Sequence, residues 1–141
     1  MAIYSLAQRT TNTTINNAAV EWRSSASNRP KVLEVSWIST AATAHSIGLG
    51  RPQAIGVTPV NVLFQADDPG DPASVTNGSL SWATSPTTPL IFHRRANFAA
   101  TIGVGVVWTF PRGLVIPVNS SLVVFNITAS AAADVNCVID E

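Results

Sequence analysis

Two histidines, a cluster of three aspartates, a pair of close glycines and four tryptophans are the side chains here whose types and spacing could do chemistry. A catalytic histidine needs a carboxylate within hydrogen-bond reach to orient it. His93 lies in LIFHRRAN, where strand alternation sets it opposite Phe92 and beside Arg94 and Arg95, so it reads as a half-exposed strand histidine. His45 follows TAATA in a small-residue turn and reads the same way. Asp67, Asp68 and Asp71 in DDPGDP offer the hard oxygen ligands that Ca²⁺ uses. The EF-hand spacing and its distal Glu are missing, however, and Pro69, Gly70 and Pro72 account for the segment as a tight exposed turn.

No zinc set is expected from one cysteine and two separated histidines. Gly103 and Gly105 lack the third glycine and the following Lys of a phosphate loop, and they read as strand glycines at a bulge or close approach. Trp22, Trp37, Trp82 and Trp108 could stack on sugar rings, but all sit in alternating runs where core packing is the commoner fate. Trp82, followed at once by a loop, is the expected exception. These residues predict no enzyme, no metal and no cofactor.

The elements that carry them are strands. In KVLEVSWIS, Leu33, Val35 and Trp37 alternate with Glu34 and Ser36, and PVNVLFQAD sets Val60, Val62 and Phe64 opposite Asn61, Leu63 and Gln65. Further strands are predicted over 3–8, 19–23, 45–50, 79–83, 90–94, 104–110, 122–128 and 135–139. SNRP, GRP, DDPGDP, NGS, SPTTP, PRG and PVNSS mark turns between them, and ITASAAAD reads as the loop before the last strand. The pattern predicts an all-β domain over residues 18–141, a sandwich or barrel of about eight to ten short antiparallel strands. Residues 1–17 are polar and Asn/Thr-rich, and they predict an N-terminal arm that frays or is ordered by a partner.

Composition points to contact with other protein. Only 11% of the 141 residues are charged and the formal net charge is zero, which argues against nucleic acid or an anionic membrane as partner. Seven arginines against the single Lys31 favour an interface, where Arg is enriched and Lys depleted. Cys137 can form no internal disulfide and is expected as a buried thiol. The opening MAIYSLAQRT lacks the pattern of a secretory signal, so synthesis in a cytoplasm is expected.

The C-terminal third, WTFPRGLVIPVNSSLVVFNITASAAADVNCVIDE, together with VLEVSWISTAATAHSIGLGRPQAIGVTP, resembles small jelly-roll structural proteins of tailed bacteriophages, in particular capsid cement or decoration proteins. The resemblance implies an all-β, antiparallel jelly-roll-like β-sandwich and a virion subunit on the capsid exterior that binds the major capsid protein and itself, as a homodimer or homotrimer. The contact residues expected on texture are Tyr4, Gln8, Arg9, Asn12 and Ile15 of the arm, with Arg51, Arg94, Arg95 and Arg112 at turns or edges. A tail or fibre receptor-binding domain, a carbohydrate-binding module and a sandwich hydrolase are the rival expectations.

Overall fold

The computed structural model describes residues 2–128 and 131–141, and among them there is no helix. Eleven strands follow in order: β1 (Ile3–Arg9), β2 (Asn17–Arg23), β3 (Lys31–Ser39), β4 (His45–Gly50), β5 (Val57–Leu63), β6 (Gln65–Ala66), β7 (Asn77–Thr84), β8 (Phe92–Phe98), β9 (Gly105–Val115), β10 (Ser121–Asn126) and β11 (Ala133–Asp140). They pair antiparallel in two sheets, ordered β6-β1-β11-β3-β9 and β5-β7-β2-β10-β4-β8. The expected all-β sandwich is what the chain forms.

Without β5, β6 and β7, eight strands remain as β1-β11-β3-β9 against β2-β10-β4-β8. Along this frame the chain changes sheet at every step except β4 to β8, which are neighbours in one sheet. The 51–91 insert enters at that step and lengthens both sheets. Its chain leaves β5, buries Phe64 between the sheets and becomes β6 at the end of the other sheet, closing that side of the sandwich.

Period two puts the core where alternation demands. Val35 and Trp37 of β3, Val135, Cys137 and Ile139 of β11, and Tyr4 and Leu6 of β1 meet Val20, Trp22, Ile47, Leu49, Leu122 and Val124 from the second sheet. Each large side chain so buried contributes about 1.5–3 kcal/mol. Trp22 and Trp37 are enclosed and Trp108 is nearly so, as core packing predicts.

Four expectations need correction. The described residues 2–17 do not form an arm, because β1 pairs with β11 over its whole length, from Ile3 opposite Asp140 to Arg9 opposite Asp134. Two buried side chains, Tyr4 and Leu6, and a complete ladder hold this strand, although its outward Ser5, Ala7 and Arg9 make it look too polar for a core. Leu33 was expected inside with Val35, yet both neighbouring strands skip it in register, and Val32 takes the inward place. Opposite that bulge, PRG continues β9 as an irregularity and makes no chain reversal. In β5, finally, neither Val60 nor Val62 is buried; only Phe64 beyond it is.

Other readings hold. DDPGDP is a turn in which Asp68 Oδ1 accepts from Gly70 N–H at 2.8 Å, while Asp67 accepts from Ser5. Gly105 lies so close to the Trp37 carbonyl that a Cβ there would collide with it, whereas Gly103 is no strand glycine and stands at φ 83° in the turn before β9. Ala129 and Ser130 of ITASAAAD lie outside the described residues, and β11 begins at Ala133.

Candidate interaction surfaces

The insert determines which faces remain free. Its outgoing and returning segments cross the outer face of the second sheet side by side. Ala54 and Thr87 exchange hydrogen bonds of 2.7 and 3.0 Å, and Gln53 Nε2 donates to the Thr88 carbonyl at 3.2 Å. Beneath them Ala18, Val123 and Phe125 form a second apolar cluster with Trp82 and Phe92. Gly48 of β4 leaves the space that the Phe92 ring fills, since any Cβ would run into that ring.

A buried carboxylate fastens this cover, and sequence reasoning missed it. In AAVEWR, alternation points Glu21 away from the core, towards expected solvent. The insert lies over it instead. Glu21 Oε1 accepts from Ser121 Oγ at 2.6 Å and from Gly56 N–H at 3.1 Å, and Oε2 accepts from Trp82 Nε1 at 2.7 Å. Arg23 Nε lies 3.1 Å from Oε2, near enough to pair charge though not aligned as a hydrogen bond, and its Nη2 donates to the Gly56 carbonyl. Gly56 must be glycine, because a Cβ would meet the Trp82 indole. No local sequence signal marks Glu21, since its burial depends on a segment more than thirty residues away.

One side of the sandwich, where β8 and β9 are the outermost strands, gathers the arginines expected at turns and edges. Arg51 Nη1 donates to His93 Nε2 at 2.9 Å and its Nη2 to the Val115 carbonyl at 2.7 Å, which spans the two sheets. His93 is therefore an acceptor. Partial burial first, then the Arg51 and Arg94 charges, hold its pKa below the ordinary histidine range. Arg94 lies over Phe110 of β9 and borders a shallow hollow with Arg112, while Arg95 lies over Phe92. Leu90 and Ile91 project beside them, 81% and 78% exposed. The ion pairs among the described residues are Arg9–Asp134 and Arg23–Glu21, so Arg94, Arg95 and Arg112 face solvent without a carboxylate partner.

On the opposite side, β5, β6 and the 67–72 turn carry the reverse charge. Val60 is 66% exposed, and Val62 and Leu63 are nearly half exposed. Asp67 and Asp68 are exposed and Asp71 is half-buried. Tyr4 secures the turn by donating its hydroxyl to the Pro72 carbonyl at 3.0 Å, and burial, followed by the Glu141 and Asp71 charges, raises its pKa.

The five residues expected in the arm do not form a common surface with these arginines. Tyr4 is a core residue, and Gln8 turns inward beside Gly78 with its Oε1 buried and without a hydrogen-bond partner. Arg9 forms a bidentate pair with Asp134 on the outer face of the first sheet, at 2.7 and 2.9 Å. Asn12 shapes the β1–β2 connection by donating to the Ala18 carbonyl and accepting from Thr14 N–H, and Ile15 is half exposed there.

His45 is buried, with Nδ1 donating to the Thr43 carbonyl at 2.7 Å, so Nε2 is left to accept from Trp37 Nε1 at 3.2 Å. Cys137 is buried as expected, and burial pushes its thiol pKa well up. Trp82, the expected exposed tryptophan, is half-buried, and its N–H is committed to Glu21.

Fold and surfaces together define a β-sandwich with a fastened cover on one face and two exposed apolar margins of opposite charge. No protein-family model, curated protein or solved structure matches the chain. No helix among the described residues is long and apolar enough to cross a membrane.

Proposed function

We propose that the chain is a non-enzymatic structural subunit of a virus particle, a capsid cement or decoration protein that binds the exterior of an assembled phage head through its major capsid protein. The observation that carries this reading is β5. Val57, Val60, Val62 and Leu63 stand exposed at the end of a sheet, in a domain that elsewhere covers even the outer face of its central strands. Exposed apolar side chains grouped along one strand mark a contact surface.

The eight-strand winding supports a jelly roll, since two four-stranded sheets entered alternately are its connection pattern. The polar groups support binding over catalysis: His93 accepts from an arginine, and His45 is held by Trp37 and Thr43. The commitment of Trp82 to Glu21 counts against a sugar platform.

The test is addition of purified chain to phage heads that lack their decoration subunit, with occupancy imaged directly. Saturable, regularly spaced density on the shell is expected, and bare shells at saturating protein would overturn the proposal.

A further inference from the structure

The two margins of the sandwich complement each other in charge as well as in apolar character. Val60, Val62 and Leu63 lie beside Asp67, Asp68 and Asp71 on the β5–β6 side. Leu90 and Ile91 lie beside Arg94, Arg95 and Arg112 on the β8–β9 side. None of those arginines is in an ion pair among the described residues, and the three aspartates face no cation there either. Four to five inter-strand steps of about 4.8 Å put the margins roughly 20 Å apart, too far to neutralise each other within one copy.

We infer that copies of this chain associate side by side, the β5–β6 margin of one against the β8–β9 margin of the next. The occupant of each margin is a second copy, because one chain carries both halves of the match while its net charge is zero. The contact is heterologous, so repetition gives a closed ring or an open row, and a two-fold dimer is excluded as its basic unit. Pro59 and Pro111 each remove a backbone donor from the outermost strands β5 and β9, so the copies meet through side chains and do not extend the ladder. The inference rests on the reading of this chain as a contact protein in that it assigns a partner to surfaces that reading leaves open.

Sedimentation velocity on the full chain tests it. Wild type should associate at high micromolar concentration and dissociate as salt is raised. Arg94→Glu/Arg95→Glu/Arg112→Glu, with both margins acidic, and Asp68→Lys/Asp71→Lys, with both margins basic, should each associate about a hundredfold more weakly, since like charges then face each other. Mixed in equal amounts, the two variants should associate again, because each margin then finds its opposite. Melting temperature reports whether each variant folds. If the arginine variant does not fold, Leu90→Ser/Ile91→Ser carries the test, as both residues are exposed. Its association should fall similarly.

A monomeric wild type, charge variants that associate as wild type does, or a mixture that stays monomeric would each overturn the inference. Monomers that still decorate heads would sink this inference alone. Association without any decoration would sink the cement reading alone.

Discussion

Strands β10 and β5 are alike in composition and opposite in fate. SLVVFN of β10 is buried at every residue, while VTPVNVL of β5 is exposed at every residue but Pro59, which is half-buried. The difference is position. β10 lies between β2 and β4, with the core on one face and the insert on the other, whereas β5 has one neighbour, β7, and adds no side chain to either apolar cluster among the described residues. Apolar content therefore reports only that a strand can be covered; its place in the sheet decides whether the cover is its own chain or another molecule.

The largest expected effect breaks this comparison directly. Phe125→Ala in β10 should cost about 3–5 kcal/mol, a large fraction of the stability of an ordinary domain, whereas Val62→Ala in β5 should stay within about 0.5 kcal/mol. Denaturant unfolding of the two variants checks both numbers, and similar losses would mean that β5 is covered in the isolated chain. Next comes Glu21→Gln, which turns an amide towards the Trp82 N–H and leaves Arg23 without its carboxylate. A loss of about 3 kcal/mol is expected, with faster hydrogen exchange at the Gly56 amide as the cover loosens.

A smaller change sharpens the role of the cover. Gly48→Ala forces the Phe92 ring aside and should cost about 1–3 kcal/mol by the same unfolding measurement. The smallest effect concerns His93. Its folded pKa is depressed, so the unfolded chain takes up the proton first; its contribution is complete above the ordinary value of about 6.5 and declines as pH falls below it. Stability measured against pH should show that decline in wild type, and His93→Gln, which keeps an acceptor for Arg51, should flatten it.

Much of the frame was legible in sequence because a strand with one wet face writes its alternation into the chain. Trp37, Val135 and Cys137 are inward by that rule. What could not be read depends on distant partners. Glu21 looks solvated until the insert is laid over it, Leu33 looks inward until two neighbouring strands skip it, and Tyr4 looks like part of a tether until β11 arrives to pair with β1. The opposed charges of the two margins are equally hidden, since Asp68 and Arg94 face opposite ways only once the sheets have formed. Arg51, Arg94 and Arg112 were singled out by residue type, and the fold brings them to one side; Gln8 and Asn12, chosen by texture, turn out to shape the domain itself.

The pairing of β1 with β11 also governs timing. Residues 2 and 141 are joined by reciprocal backbone hydrogen bonds of 3.0 Å, and β11, the last strand in chain order, lies between β1 and β3. Until it leaves the ribosome, the first sheet is two separate ribbons, β6-β1 and β3-β9, each with an open side and exposed apolar residues. Folding therefore completes after synthesis of the segment that follows Ala133, and it proceeds at the slow pace of a fold dominated by distant pairings, in milliseconds to seconds.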